Sequence, residues 1–148
     1  MGNIVANIAK GRFVYYCTLP AASDALIVVV LEASGIVADD TMADYDDLSA
    51  LLAGATNEQT TMGRKTVSAS VTVTVDDTNN WVDVDIPDQV WTAASGNATG
   101  ALLICYDADT GAGTDSAIIP LTKHDWTVTP DGSDVTATIA AAGFARAA

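Results

Sequence analysis

The chain has 148 residues, of which 49% are apolar and 17% charged, a globular composition with enough residues for one domain around a buried core. Nineteen acidic residues against six basic ones give a net charge of −13. Because phosphate backbones repel so acidic a chain, and no basic stripe offsets the repulsion, nucleic acid is not expected as a partner. The longest uninterrupted apolar run, residues 25–31, is far shorter than the roughly 20 residues that span a bilayer, so no membrane partner is expected.

The N-terminus and the cysteines bear on the compartment. Residues 1–13 lack an apolar segment long enough for a signal peptide, so secretion is not indicated. The two cysteines, Cys17 and Cys105, each lie within an apolar, strand-like pattern. A disulfide between them and a pair of buried free thiols both fit this placement, and the missing secretion signal favours the thiols.

The first part of the chain predicts strands. Residues 1–12 are weakly periodic and are expected to form an arm or a first edge strand. Apolar residues alternate over residues 12–19, which predicts a strand with one buried face. The apolar run over residues 25–32 predicts a central strand that is buried on both faces.

One short helix is predicted, over about residues 40–53. Its apolar side chains recur every three or four residues, at Met42, Tyr45, Leu48 and Leu52. Thr41 and Asp44 have the spacing of a capping box, and Gly54 is a natural C-terminal stop.

Residues 66–86 predict an antiparallel hairpin with one buried and one wet face. A period of two runs along both halves, around a turn at residues 76–80. The inward positions are Val67, Ala69, Val71, Val73, Val75, Val82, Val84 and Ile86. Trp81 falls on the polar face, where it would either contact a partner protein or sugar or pack beneath a loop.

The second half of the chain predicts further short strands. They lie at residues 89–93, 101–106 and 117–121, and in a last hairpin of residues 126–128 with 135–139. Pro120 indicates an edge or a bulge, because proline cannot donate a ladder hydrogen bond.

The strands and the helix together predict a mainly β fold, either an antiparallel β-sandwich or a small barrel with one short helix. The expected organisation is an N-terminal arm at residues 1–12, a single β-rich domain at residues 13–140 and a C-terminal tail at residues 141–148.

No catalytic, cofactor or metal site is predicted. His124, the single histidine, has no identifiable nucleophile or orienting partner and is interpreted as an ordinary polar residue. The loop at residues 107–115 is similar to an Asp-x-Asp calcium loop, but it lacks the glycine and the closing glutamate, so turn chemistry is favoured. Two isolated cysteines and one histidine offer no zinc-ligand spacing.

The order of four segments resembles a known group of proteins. The segments are DALIVVVLEASG, ADYDDLSALLAG, RKTVSASVTVTVDDTNNWVDVDIPDQVW and GALLICYDADTGAGTDSAIIPLTKHDWTVTPDGSDVTATI. Over residues 12–146 the chain resembles small virion proteins of tailed bacteriophages, which are typically encoded beside the major capsid protein. The resemblance implies an enzymatically inactive capsid decoration or cement protein. Such a protein binds the major capsid protein on the outer head surface, is often a homo-oligomer and needs no cofactor.

Five residues are candidates for the interface that such a protein would need: Lys10, Arg12, Trp81, Phe144 and Arg146. The basic members lie at or near expected termini and loops, which motivates the choice.

Two other classes of protein remain open. One is a neck, tail or fibre-like virion component, and the other is a carbohydrate-binding β-sandwich that uses Trp81, Trp91 and Trp126.

Overall fold

A computed structural model describes residues 2–54 and 56–148. The strands are β1 (Ile4–Val5), β2 (Ala25–Glu32), β3 (Lys65–Val67), β4 (Thr72–Asp76), β5 (Trp81–Asp85), β6 (Gln89–Trp91), β7 (Thr99–Asp107), β8 (Ile118–Asp125), β9 (Val135–Ala137) and β10 (Ala145–Ala147). The helices are α1 (Phe13–Cys17), α2 (Asp39–Ala43) and α3 (Leu48–Ala53), with single 3₁₀ turns at Asn7–Ala9 and Asp115–Ala117.

The strands form three antiparallel sheets. The central sheet has the order β1-β8-β7-β2-β3, a second sheet has the order β10-β5-β4, and β6 pairs with β9 in a ribbon. The prediction of a mainly β, sandwich-like fold is confirmed. Since the three sheets stay separate, the sandwich describes the fold better than the barrel.

The central sheet is buried on both faces because its inner strands β2 and β7 are apolar at almost every position. One face packs against α1, the second sheet and the ribbon, through Leu26, Val28, Val30, Leu102 and Ile104. The other face packs against α2 and α3, through Ile27, Val29, Leu31, Ala101 and Leu103. Burying each such valine or leucine side chain contributes about 1.5–3 kcal/mol, so these two clusters are the main source of stability.

The two cysteines lie on opposite faces of the central sheet. Cys17 belongs to the cluster beneath α1, and Cys105 belongs to the cluster beneath α2 and α3. Both are free, so the prediction of buried thiols is confirmed. Burial raises the pKa of each thiol to about 12, because the thiolate would lose its hydration.

The strand predicted at residues 12–19 is wrong, since this segment forms α1. The sequence FVYYC is compatible with both a strand and a helix. As a helix it buries Phe13, Tyr16 and Cys17 together. Tyr16 stacks on Tyr106 of β7, with ring centroids 4.9 Å apart. This packing outweighs the β-propensity of the segment.

The helix predicted at residues 40–53 is interrupted. It forms as α2 and α3, with Asp44 ending α2 and Asp47 beginning α3. The Asp47 carboxylate accepts a hydrogen bond from Ala50 N at 2.8 Å, so the working cap is Asp47 and not Thr41. Aspartate side chains compete for backbone N–H groups, which favours a break where several of them cluster.

The first predicted strand of the hairpin at residues 66–86 divides between two sheets. β3 pairs with β2 in the central sheet, whereas β4 pairs with β5 as predicted. The chain crosses between the layers over residues 68–71, where Ser70 adopts a positive φ of 62°. A strand that changes sheets bends at such a corner, and the small side chains here allow it.

The end of the sheet also differs from its prediction. Pro120 does lie at a bulge, where the register between β7 and β8 shifts after Ile104. The final hairpin is wrong, because β9 pairs with β6 and not with residues 126–128. The latter segment is instead held by Thr99, whose Oγ1 donates to Trp126 O at 3.0 Å.

Candidate interaction surface

The structure does not bring the five residues predicted for an interface together at one place. Trp81 and Arg146 face each other on the sheet β10-β5-β4. Lys10 and Arg12 are exposed on either side of a turn that leads into α1. Phe144 is half-buried, at the start of β10. Trp81, Phe144 and Arg146 belong to the layer opposite α2 and α3. Lys10 instead donates to Asn7, whose side chain donates to Asp44 at the end of α2.

Trp81, Asp83 and Arg146 form one cluster on the outer face of β5 and β10. The Arg146 guanidinium lies 3.8 Å from the centroid of the Trp81 ring. Its Nε and Nη2 donate to the two carboxylate oxygens of Asp83, at 2.5 and 2.8 Å. A planar guanidinium can make both contacts at once, so the chain's own tail covers one face of the indole.

The tail is held in place by Phe144. Phe144 meets Phe13 edge-on, with ring centroids 5.9 Å apart, and meets His124 at 6.1 Å. Its backbone N–H donates to Val84 O at 2.9 Å. Phe144 therefore anchors the tail within the chain, and Arg146 is the side chain that the tail presents outward.

An apolar row projects beyond the core on the inner face of the second sheet. Val75, Val82 and Ala147 are register partners across β4, β5 and β10. The neighbouring row is covered, since Val84 is completely buried, but Val75 is 64% exposed. We call Val75, Val82 and Ala147 the overhang. A continuous apolar row that is partly exposed and rimmed by polar residues is typical of a contact surface.

The outer edge of β4 lies next to the overhang and has no hydrogen-bonded strand beside it in the described parts of the chain. Soluble proteins usually protect such an edge with lysine, proline or a bulge. Thr72–Asp76 contains no proline or lysine and pairs with β5 in continuous register. Its backbone groups are thus available to a further strand.

The surroundings of the overhang are acidic. Asp76 and Asp77 begin the turn after β4, and Asp83 and Asp85 lie on the outer face of β5. Arg146 forms an ion pair with Asp83, and its charge also acts on Asp76, which leaves Asp77 and Asp85. The surface therefore suits a partner that brings apolar side chains together with basic groups.

The three tryptophans do not form a common platform. Trp91 is buried and donates from Nε1 to Gly63 O at 3.0 Å. Trp126 packs against Trp91, with ring centroids 5.5 Å apart. Trp81 lies on the second sheet and contacts Arg146 instead.

The aspartates of the loop at residues 107–115 cap their own backbone. Asp107 accepts from the N–H of Asp109 at 3.1 Å, and Asp109 accepts from the N–H of Gly111 at 3.0 Å. This is the turn chemistry that the sequence favours. Within residues 2–54 and 56–148, no group of three or more His, Cys, Asp or Glu side chains is placed to hold a metal ion.

Two ionic clusters were not predicted from the sequence. Arg64 binds Glu58 at 2.7 Å and Asp115 at 2.5 Å, and these hydrogen bonds raise its pKa. The Lys123 side chain, 1% exposed, binds Asp39 at 2.9 Å and also binds Asp125. The signal for the second cluster is a lysine within the apolar strand IIPLTKHD, because an interior lysine needs a charged partner.

The chain is thus a β-rich, sandwich-like domain with an exposed acidic surface around an apolar row. Comparison of the chain with protein-family models, with curated proteins and with solved structures finds no match. None of the helices among the described residues is long and apolar enough to cross a membrane.

Proposed function

We propose that this chain is a non-enzymatic structural virion protein, a decoration or cement protein on the head of a tailed bacteriophage. It binds the major capsid protein through the overhang and the β4 edge, with Lys10 and Arg12, at the turn before α1, as further contacts. Several copies acting as a homo-oligomer would add avidity to a contact that is small in each copy.

The observation that carries the proposal is the unpaired β4 edge beside the exposed Val75. The edge offers main-chain hydrogen bonds, and the overhang offers apolar contact area at the same place. A binding role agrees with the phage-virion resemblance of the segment order, which supplies the identity of the partner.

The location on the particle is tested by quantitative mass spectrometry of purified virions. We expect on the order of hundreds of copies per particle, because a closed shell repeats the same subunit position many times. A handful of copies would place the protein in the neck or tail instead. Absence from the purified particles would overturn the virion proposal itself.

The contact surface is tested by introducing a charge into the overhang. We expect Val75→Asp to weaken binding to capsids at least tenfold, about 1.4 kcal/mol, since a carboxylate would be buried at the position where the overhang meets apolar side chains of the partner. Val90→Asp is the matched control, because Val90 is also exposed, at 44%, but lies on β6 in the ribbon. Co-sedimentation with capsids that lack the protein gives the affinities. Equal binding by the two variants would rule out the overhang as the contact.

A further inference from the structure

A cavity of about 160 Å³ lies between the central sheet and the segment that follows β9. Its inner wall is apolar and comes from Val28, Ile86, Leu102, Ile104 and Ala137. Residues 138–140 form part of its outer wall and belong to no strand. The Ile139 N–H donates to Asp88 at 2.7 Å, which ties this wall to the loop before β6.

Trp126 and His124 add two ring systems to the lining. The His124 Nε2 lies 2.9 Å from Thr122 Oγ1, whereas Nδ1 has no hydrogen-bond partner among the described residues. Burial, together with the charge of Lys123, lowers the pKa of His124, so the imidazole is neutral at pH 7.

The other polar side chains that line the cavity are largely used elsewhere. Gln89 donates from Nε2 to Pro87 O at 2.6 Å. Asp125 binds Lys123, whose register partner Leu103 belongs to the opposite face of the central sheet. The cavity therefore offers an apolar space with a neutral imidazole, and no net charge directed into it.

We propose that this cavity is a binding site for a neutral aromatic molecule of one ring that carries a single hydrogen-bonding group. The volume supports the size, because an apolar cavity of about 150 Å³ accommodates benzene. The chemistry supports the class, since the rings of Trp126 and His124 line the cavity and the imidazole keeps Nδ1 without a partner among the described residues. A charged ligand would lose its hydration without gaining a counter-ion.

Phenol is the probe, and the measurement is a titration of the full chain followed by backbone amide chemical shifts. We expect saturable shifts confined to the residues that line the cavity, at positions 28, 86, 89, 102, 104, 124–126 and 137–140, with a dissociation constant on the order of 1 mM, which is reasonable for so few heavy atoms. Benzoate, the charged analogue, should bind at least tenfold more weakly. Shifts that do not saturate, or that spread over the whole surface, would overturn the proposal.

A matched pair of alanine substitutions locates the site. Ala140 lines the cavity and Ala142 does not, and both are exposed, so neither substitution is expected to disturb the core. Ala140→Leu should fill the space and weaken phenol binding about tenfold, whereas Ala142→Leu should leave it unchanged. Thr138→Leu provides a second lining position if the first variant does not fold. Equal affinities in the lining variant and the control would refute the site.

Discussion

Replacing Lys123 with methionine is expected to lower the free energy of unfolding by about 2–3 kcal/mol. The substitution keeps the length of the side chain but removes a buried ammonium that donates to Gly2 O at 2.8 Å, to Asp39 and to Asp125. The loss falls below the roughly 3–5 kcal/mol of a fully buried pair because both carboxylates reach solvent and are partly screened. Urea denaturation measures this difference in the free energy of unfolding, provided that the two proteins have the same m value.

Lys10→Met is the control for this variant. Lys10 is exposed and donates to Asn7 at 2.6 Å, so its replacement should change stability by no more than about 0.5 kcal/mol. Similar losses in the two variants would show that Lys123 has no special role.

The Lys123 cluster also has a defined pH dependence. The hydrogen bond from Lys123, and then that from Gly2, lower the pKa of Asp39 from its ordinary 3.8. A lowered carboxyl pKa stabilises the fold above the unfolded value and loses that contribution as the pH falls. Burial opposes the charge on Lys123, but hydrogen bonds to Asp125 and Asp39 raise its pKa above 10.5, so it stays protonated in this range. The difference in the free energy of unfolding between the wild type and Lys123→Met should therefore become smaller below about pH 4.

Gly143→Ala is expected to release the tail and to cost about 3 kcal/mol. Gly143 has a φ of +84°, which L-residues rarely adopt, and a Cβ there would come within 2.1 Å of Val84 O. That carbonyl belongs to β5 and cannot move without breaking the sheet, so β10 must detach and Phe144 must lose its packing. Hydrogen exchange at the amides of Ala145–Ala147 should lose its protection.

Gly132→Ala separates backbone strain from the steric clash. Gly132 has a similar φ of +93°, but its Cβ would meet no atom within 4 Å. We expect a cost of about 1 kcal/mol from strain alone, with β10 still protected from exchange. If Gly143→Ala is no worse than this control, the close approach to Val84 does not hold the tail.

The parts of the fold that were predictable are those set by local burial. β2 forms at the predicted residues because a short apolar run rich in valine favours a strand that is covered on both faces. The turn after β4 also forms as predicted, since Asp76 accepts from the backbone N–H groups of Thr78 and Asn79, at 3.0 Å each.

The errors arise where a short segment fits two patterns and distant contacts select one. Over residues 12–19, alternation competes with helical spacing, and Tyr106, far along the chain, favours the helix by stacking on Tyr16. At Ser70 a continuous alternating pattern hides a change of sheet, because the period of two persists on both sides of the corner.

Only part of the candidate surface could be predicted from the sequence. The hairpin pattern places Trp81 on the polar face, which the structure confirms. Its contact with Arg146 could not be derived, since the two residues meet only through the register of β10 on β5, which depends on the geometry at Gly143. The overhang was missed because the alternation marks Val75 as inward-facing but does not show where the core ends.

The unpaired edge of β4 has a consequence for the isolated protein. Two copies could pair through this edge, but each chain carries a net charge of −13, and Asp76 and Asp77 stand at the end of the pairing strand. That repulsion acts over a Debye length of about 10 Å at 0.1 M salt and only about 3 Å at 1 M. Electrostatic repulsion is thus expected to oppose pairing of two copies through β4 in dilute buffer, and concentrated salt should weaken this opposition and favour self-association through the same strand.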